Sequence, residues 1–365
     1  MHMINNIDSA ANRNRLNPSV SVLYEPSAAD WSYSHHPSLC FFKGRLWAAW
    51  SNGKTDEDDL GQRVLYAVSH DGLQWSNPQI LFDSFPDKVL TAAGMYAQND
   101  KLTAYAGSYA YAEDNIKNGH YIDIGVMHTD TSLLCRMSED GALWSDITDT
   151  HIPVVPNQGP VRIRSGRLIM CGNVTFPFSD CPDGARGWTV SGLDPCVWPG
   201  MYDDAEGFQI HKKLRPDNTF LCEGSFFQTD DDILHMLLRS DKGILYYSES
   251  SDDANSWSAP KATAFSDCGS KFHCGHLGDG RFYIIGNPDP GPRCSLILSV
   301  SEDGVNFNRS YVICDVFRPL RVPGLYKGGI YGYPHSVLSD ENLHVICSVN
   351  KEDIYVFTIP LKQIT

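Results

Sequence analysis

The sequence predicts an all-β protein folded as a single β-propeller of four-stranded antiparallel blades. Three observations support this prediction. Short apolar segments alternate with turns rich in Gly, Pro, Asn and Asp, as they do in all-β proteins. Helical periodicity is essentially absent over the 365 residues. A hairpin-like unit also recurs at intervals of roughly 50 to 65 residues, the length of a propeller blade with its loops.

The recurring unit consists of a short strand, a polar turn and a second apolar strand. Its copies span residues 36–50, 94–105, 159–171, 223–238, 272–285 and 333–346. We therefore predict six blades. The stretch 176–209, which carries Trp188 and Trp198, is either a long loop over one face or the remains of a seventh blade, so seven blades remain possible.

The repeat covers most of the chain, and we predict one domain over residues 1–365. The strand-like segment 20–24 is expected to complete the sheet of the last blade and so close the ring. Residues 1–17 lie outside the repeat and are expected to form a flexible N-terminal segment.

A second, shorter repeat follows the third strand of several units. Its copies are Ser69–Trp75, Ser138–Trp144, Ser250–Trp257 and Ser301–Phe307. The aspartate of each copy can accept hydrogen bonds from turn amides, and glycine permits a positive φ where it is present. The final aromatic residue can pack beneath the hairpin. These residues are predicted to be structural.

Composition excludes several classes of function. A formal net charge of −15 argues against nucleic acid or an anionic membrane as a partner. No apolar run approaches the length of a membrane span. The N-terminus lacks an apolar targeting core, so we expect a cytoplasmic protein or one whose leader has been removed.

The chain has 11 cysteines, and no two are spaced as Cys-x-x-Cys. Because this spacing is absent, no zinc site is predicted. No other metal-ligand spacing is present, and a calcium or zinc site made of His and Asp stays open as an alternative. We expect the cysteines to be buried free thiols that pack as small apolar groups. No cofactor is predicted.

The two repeats together resemble the sialidase superfamily of Asp-box, or BNR-repeat, propellers over nearly the whole chain. The resemblance implies a glycosidase with a catalytic Glu–Tyr pair and arginines that bind a carboxylate. Glu223, Arg239 and Arg293 match the family's glutamate, second arginine and third arginine, and Tyr333 matches its tyrosine. The acidic run 56–59 lies where sialidases hold their acid aspartate.

One position departs from this family pattern. Where sialidases carry Arg-Ile-Pro, this chain has His35, His36 and Pro37, so one guanidinium of the carboxylate-binding triad is replaced by imidazole. The departure, together with Arg63, the segment 270–273 and the segment 327–335, is similar to propeller enzymes that act on L-rhamnose linked α-1,4 to glucuronate. Some of those enzymes are hydrolases that depend on histidine, and others are lyases.

Propeller geometry indicates where these residues meet. The innermost strand of each blade lines the central axis, so first-strand residues of different blades are expected to face one funnel. We predict His35, His36, Glu223 and Tyr333 as catalytic residues. Because strand side chains alternate, only one of the two histidines is expected to face the funnel. Substrate-binding candidates are Arg239, Arg293, His273, His335, Arg63, Arg162, Lys271 and Lys327.

These residues predict an exo-acting glycosidase whose partner is an acidic or uronate-containing carbohydrate, such as terminal rhamnose linked to glucuronate. A true exo-α-sialidase is one alternative, in which Arg63 or Arg162 supplies the missing guanidinium. A polysaccharide lyase on the same linkage and a non-catalytic glycan-binding propeller are the others. Histidines and a Glu–Tyr pair at inner-strand positions favour an enzyme over a binding module.

Overall fold

The chain folds almost entirely into β-strands. The computed structural model describes residues 4–6, 13–26, 31–111, 116–117, 120–121, 128–194 and 219–365. Strands β1 to β13 are Asn5–Asn6, Asn14–Arg15, Ser19–Tyr24, Tyr33–Phe42, Arg45–Gly53, Arg63–Ser69, Gln79–Phe82, Val89–Gln98, Lys101–Ala110, Ile116–Lys117, His120–Tyr121, Thr129–Ser138 and Thr148–Asp149.

The second half of the chain continues the same pattern. Strands β14 to β29 are Val161–Arg162, Leu168–Ile169, Phe178–Ser179, Trp188–Thr189, Leu221–Gln228, Leu234–Ser240, Ile244–Ser250, Lys261–Ser266, His273–His276, Phe282–Gly286, Leu296–Ser301, Asn306–Phe307, Arg309–Cys314, Tyr331–Leu338, Asn342–Val349 and Asp353–Pro360. A short 3₁₀ turn, Leu361–Gln363, follows the last strand. In the described part of the chain, no helix is long and apolar enough to cross a membrane.

Six sheets, each built on four antiparallel strands, make up most of the described residues; β1 and β25 extend one of them to six strands, and β2 extends another to five. In chain order they are sheet 1 (β4, β5, β6, β7), sheet 2 (β8, β9, β12, β13), sheet 3 (β14, β15, β16, β17), sheet 4 (β18, β19, β20, β21), sheet 5 (β22, β23, β24, β26) and sheet 6 (β27, β28, β29, β3). The prediction of an all-β fold made of four-stranded antiparallel sheets is therefore confirmed. The six hairpin units identified in the sequence form the first two strands of these sheets.

The hydrophobic core lies between sheets rather than within them. Six clusters of buried apolar residues each join two sheets, namely sheets 1 and 2, 2 and 3, 3 and 4, 4 and 5, 5 and 6, and 6 and 1. Strands that are apolar on both faces produce this arrangement, because each sheet must bury one face against each neighbour.

The N-terminal region is tied to the sheets. Strand β3 pairs antiparallel with β29, which confirms the prediction that segment 20–24 completes the last sheet. The prediction that residues 1–17 are flexible is wrong for the parts that the structure describes. Strand β2 pairs parallel with β26, and Leu16 and Ile4 are buried in the core. Residues 1–3 and 7–12 lie outside the described residues.

The tryptophan-bearing stretch 176–209 contributes to sheet 3. Its first part supplies β16 and β17, the outer two strands of that sheet. Residues 195–209 lie outside the described residues. The described part of this stretch is therefore neither a long loop nor a separate blade.

The Asp-box turns form as predicted. In the first copy, Asp71 Oδ1 accepts hydrogen bonds from the amides of Leu73 and Gln74, at 2.8 and 2.9 Å. Gly72 has a φ of 75°, and Trp75 packs against the core between sheets 6 and 1. The copies at 138–144, 250–257 and 301–307 use the same Asp-to-amide bonds. The described cysteines are free thiols, most of them buried, as expected.

Candidate active site

In three of the sheets, the first strand carries a bulge that points a polar side chain out of the regular pleat. The register of β4, β18 and β27 shifts by one residue at His36, Glu223 and Tyr333 respectively. Their φ angles are 51°, 51° and 54°. A positive φ in a non-glycine residue costs about 1–3 kcal/mol and tends to occur where function requires it. Bulges also redirect side chains next to active sites.

A cavity of about 200 Å³ lies beside these bulges. Residues from sheets 1, 2, 4 and 6 contribute to its wall, and their polar members are His36, Glu57, Asp58, Thr91, Tyr109, His128, Asn157, Asn173, Glu223, Arg239 and Tyr333. Ligand pockets commonly measure about 300–1,000 Å³, so this cavity is small for a binding site. The cavity therefore suits a single sugar unit better than an extended chain.

Tyr333, Glu223 and Arg239 form a closed hydrogen-bonded group in this cavity. The Tyr333 hydroxyl donates a short hydrogen bond to Glu223 Oε1. Arg239 Nη1 donates to Glu223 Oε2 at 2.5 Å and to the Tyr333 hydroxyl at 3.2 Å. A carboxylate thus faces the phenolic proton while a guanidinium neutralises the carboxylate.

The electrostatics of this group keep the proton on the tyrosine. Burial, followed by the negative charge of Glu223, raises the pKa of Tyr333 well above its ordinary value. Burial alone would also raise the pKa of Glu223, but the charge of Arg239 and the Tyr333 hydrogen bond outweigh it and hold that pKa low. Glu223 is therefore ionised and able to accept the phenolic proton.

Asp58 offers a second acid–base group in the same cavity. Its Oδ1 accepts a hydrogen bond from the Tyr109 hydroxyl at 2.7 Å. Burial, followed by the charge of the adjacent Glu57, raises the pKa of Asp58 to about 7. Among the four acids of the run 56–59, Asp58 and Glu57 line the cavity. Asp56 instead accepts hydrogen bonds from the amides of residues 325 and 326.

The two adjacent histidines converge on one carboxylate. The Nε2 atoms of His35 and His36 each lie 3.8 Å from Glu57 Oε1, and the ring centroids are 4.6 Å apart. Only His36 lines the cavity, whereas His35 is fully buried. Strict alternation would point the rings in opposite directions, and the bulge at His36 brings them to the same side. Burial lowers the pKa of His36 to about 3 and that of His35 well below its usual value.

Two further cations surround Tyr333. The Arg293 guanidinium lies 5.3 Å from the Tyr333 ring centroid and donates to the Gly269 carbonyl at 3.3 Å. Lys271 Nζ lies 5.6 Å from the same ring and donates to the Asn157 carbonyl. Burial lowers the pKa of Lys271 to about 8. Arg239 and Arg293 are the two arginines predicted to bind a substrate carboxylate. Arg239 lines the cavity, while Arg293 contacts Tyr333 without being part of the cavity wall.

Three predicted residues belong to a different cavity. His273, His335 and Arg162 line a space of about 780 Å³, formed by later residues of the same first strands. His335 Nδ1 accepts the Leu39 amide at 3.1 Å, and the rings of His273 and His335 lie 4.2 Å apart. The expectation that all first-strand candidates face one funnel is therefore wrong. His335 lies two residues beyond Tyr333 on the eight-residue β27, whereas His273 and Arg162 lie on first strands of only four and two residues, so the first-strand candidates divide between two cavities.

Arg63 and Lys327 line neither cavity. Arg63 lies 3.6 Å from the Trp31 ring and donates to Asn52 Oδ1 at 3.0 Å. Lys327 Nζ donates to the carbonyl and hydroxyl of Ser32 at 3.0 and 2.9 Å. Neither Arg63 nor Arg162 therefore takes the place of the missing guanidinium.

Several groups in and beside the cavity were not singled out in the sequence. Tyr109 in β9 and His128 just before β12, whose ring centroids lie 3.7 Å apart in a stacked arrangement, belong to segments with no distinctive motif. Lys351, which donates to Glu57 Oε2, lies in an acidic turn that resembles an ordinary solvated loop. No local pattern marks these residues, because their contacts join separate sheets.

Comparison with known proteins places this geometry in context. The family model described as a BNR repeat-like domain matches residues 44–345. No curated protein matches the chain.

Solved structures of similar fold include several sialidases. A protein of unknown function from Dyadobacter fermentans is 15% identical, with a TM-score of 0.68 over 95% of this chain and 98% of its own. A mutant of the NanB sialidase from Streptococcus pneumoniae is 12% identical, with a TM-score of 0.67 over 95% of this chain and 71% of its own. The intramolecular trans-sialidase from Ruminococcus gnavus, solved with oseltamivir carboxylate, is 13% identical, with a TM-score of 0.65 over 94% and 98%.

Proposed function

The chain belongs to the BNR repeat-like domain family, and on that premise we propose that it is an exo-acting glycosidase of acidic glycans, built as a six-bladed propeller. The cyclic order of the core clusters supports six blades, because sheet 6 packs on sheet 1 just as each other sheet packs on the next. The strand β3 that completes sheet 6 comes from the N-terminus, a common way of closing a ring.

The observation that carries the proposal is the contact of Tyr333 with Glu223 and Arg239. A phenol is a weak nucleophile until a neighbouring base removes its proton. Sialidases are the group of glycosidases in which tyrosine takes that part. The Glu223 carboxylate already accepts a hydrogen bond from the Tyr333 hydroxyl, and Arg239 keeps that carboxylate ionised.

The proposed first step forms a covalent glycosyl–enzyme bond. Tyr333 Oη attacks the anomeric carbon as its proton passes to Glu223, and the glycosidic C–O bond breaks. Asp58 gives a proton to the departing oxygen, which leaves as an alcohol. In the second step a water molecule gives its proton to Asp58 and attacks the anomeric carbon. The Tyr333–carbon bond then breaks, and the phenolate recovers its proton from Glu223.

Charge beside the nucleophile supports a carboxylate on the sugar that is attacked. Arg239 and Arg293 both approach Tyr333, at 3.2 Å from its hydroxyl and 5.3 Å from its ring centroid. A terminal sialate carries its carboxylate next to the anomeric carbon and meets this condition. A terminal rhamnose linked to glucuronate carries the carboxylate on the leaving sugar instead. Sialyl substrates are therefore the first candidates, and rhamnosyl-glucuronate is the second.

A lyase on the same glycan would leave a different product. Elimination yields an unsaturated uronate, whereas hydrolysis adds water across the broken bond. Mass spectrometry of products from rhamnosyl-glucuronate distinguishes the two reactions.

The test compares two tyrosine variants on a panel of sialyl, rhamnosyl-glucuronate and neutral aryl glycosides. Tyr333→Phe removes the nucleophile, while Tyr247→Phe removes a hydroxyl that donates to a glutamate elsewhere, Glu249, at 2.5 Å. We expect wild type and Tyr247→Phe to cleave an acidic substrate and Tyr333→Phe to lose cleavage by about 10²–10⁴-fold. Equal activity of all three proteins would refute the role of Tyr333. Lack of cleavage of every acidic glycan by wild type would refute the proposed function.

A further inference from the structure

We propose that His35, His36 and Glu57 bind one divalent transition-metal ion at the edge of the small cavity. One atom from each residue lies within 4.8 Å of the other two. Two imidazoles and one carboxylate are a common ligand set for such ions when further coordination positions stay open. The sequence shows no metal-ligand spacing. The three groups come together only in the folded protein, through the bulge in β4 and the loop after β5.

The separations fit a shared ion. Both histidine Nε2 atoms lie 3.8 Å from Glu57 Oε1. Zinc–ligand bonds of about 2.0–2.2 Å hold neighbouring ligand atoms about 3–4 Å apart. At 3.8 Å the imidazoles are also too far from the carboxylate for a direct hydrogen bond.

The hydrogen bonds of His35 orient its free nitrogen for metal binding. Ser348 Oγ donates to the Gly332 carbonyl at 3.2 Å, so it accepts the bond that joins it to His35 Nδ1 at 2.6 Å. His35 Nδ1 therefore carries the proton, and Nε2 presents a lone pair. This Nε2 is buried and has no hydrogen-bond partner. A lone pair that faces a carboxylate oxygen is stabilised by a cation between them.

The surroundings also accept a cation. Lys351 binds Glu57 Oε2, and Oε1, which accepts a hydrogen bond from the Tyr33 hydroxyl at 3.4 Å, faces the imidazoles. A Ser51 hydroxyl lies 3.2 Å from His36 Nδ1 and helps to orient that ring. His36 and Glu57 line the cavity, which also contains the carboxylates of Asp58 and Glu223. An ion at this position is therefore reachable from the cavity, where these carboxylates offset part of the positive charge of Lys271, Arg293 and Lys351.

The ion has a role that rests on the proposed function. The imidazoles stand where the sialidase pattern has an arginine, and neither Arg63 nor Arg162 replaces that guanidinium. A bound ion would add its positive charge to those of Arg239, Arg293 and Lys271 near Tyr333, because the Tyr333 ring centroid is 4.0 Å from that of His35. An acidic substrate would then bind more tightly to the metal-loaded protein than to the metal-free protein.

Metal binding is tested without any substrate. The full chain, without a polyhistidine tag, is stripped with a chelator and loaded with Zn²⁺. Its zinc content and affinity are then measured by elemental analysis and calorimetry, and Co²⁺ loading gives a visible absorption spectrum that reports coordination. His36→Ala and Glu57→Gln remove ligands. His151→Ala is the matched control, because His151 Nδ1 lies 3.5 Å from Asp149 at the surface.

The expected result is about one zinc per chain in wild type and His151→Ala, with at least about tenfold weaker binding in both ligand variants. Circular dichroism of the metal-free proteins shows whether each variant is folded, and Glu57→Gln, which keeps the side-chain volume, covers the case in which His36→Ala does not fold. Wild type that binds no zinc, or variants that bind it as tightly as wild type, would overturn the site.

A second measurement separates the site from its role. We expect zinc loading to lower KM for an acidic glycoside and to leave KM for a neutral one unchanged. An unchanged KM for the acidic substrate, in a protein that binds zinc, would overturn the role and keep the site. Zinc binding in a protein that cleaves no acidic glycan would refute the proposed function but not the metal site.

Discussion

Replacing Glu223 by glutamine separates catalysis from stability. The substitution keeps the side-chain volume and one acceptor but removes the charge that receives the Tyr333 proton. Glu223 is 11% exposed and its partner Arg239 is 25% exposed, so the pair is mostly buried. One of the two charge-assisted bonds of Glu223 is weakened or lost, which costs about 1.5–3 kcal/mol of unfolding free energy.

The effect on activity is expected to be larger. Loss of a general base costs about 10²–10⁴ in rate, which corresponds to about 3–5 kcal/mol of barrier. A protein of ordinary stability, about 5–15 kcal/mol, stays almost fully folded after losing about 2 kcal/mol. The fall in turnover therefore cannot come from unfolding, and the melting temperature should drop by only a few degrees.

The assay measures kcat on a cleaved acidic glycoside and thermal unfolding of the same preparations. Glu249→Gln is the control, because Glu249 accepts the Tyr247 hydroxyl at 2.5 Å in sheet 4, away from the cavity. We expect that variant to keep the wild-type kcat. A Glu223→Gln protein that unfolds earlier and keeps its kcat would show that the pair with Arg239 is structural only.

Three further predictions concern Asp58 as the proton donor, Arg293 as a residue that binds the substrate carboxylate, and the turn at Gly141. Asp58→Asn should lower kcat by about 10²–10³-fold on glycosides with poor leaving groups. The loss should be much smaller on nitrophenyl glycosides, because their departing oxygen needs no proton. Equal losses of kcat on both kinds of substrate would exclude Asp58 as the acid. Arg293→Ala should raise KM for an acidic substrate by about 10–100-fold relative to a neutral one, because a charge-assisted hydrogen bond contributes that much to affinity. Equal changes in KM for the two substrates would show that Arg293 does not bind the substrate carboxylate. Gly141 has a φ of 77°, and a Cβ there would lie 2.0 Å from the Trp47 ring, whereas Gly280 has a φ of 91° and open space around it. Chemical denaturation should therefore show Gly141→Ala to be about 1–3 kcal/mol less stable than Gly280→Ala, and similar stabilities would contradict the packing between sheets 1 and 2.

Much of the fold could be predicted from local sequence. The hairpin units and Asp-box turns depend on residues close together in the chain, such as Ser69, Asp71 and Gly72, whose hydrogen bonds form within one turn. The period of the repeat then indicated sheets of four strands. The N-terminal segment was harder, because the pairing of β2 with β26 joins residues almost 300 positions apart, Asn14 and Tyr311.

The candidate site was predictable only in part. Glu223, Arg239 and Tyr333 come together as the family resemblance implied, since each lies near the same end of an inner hairpin. His273, His335 and Arg162 also lie on inner hairpins but line the larger cavity, although His273 lies at the open end of its hairpin as Glu223 does. Sequence patterns name the strand on which a residue lies, but they do not say at which end of the packed sheets its side chain emerges.

The sequence by itself determined the all-β class, the repeating hairpins and the identity of the glutamate–tyrosine–arginine group, because these follow from short-range patterns and motif matches. Only the tertiary structure decided that His35 and His36 face one carboxylate, that Asp58 shares a cavity with Tyr333, and that several predicted site residues line a second cavity instead. The physical reason is that a one-residue bulge reverses the direction of a strand side chain. Contacts between sheets then set burial and charge around that side chain, and neither effect leaves a mark in the local sequence.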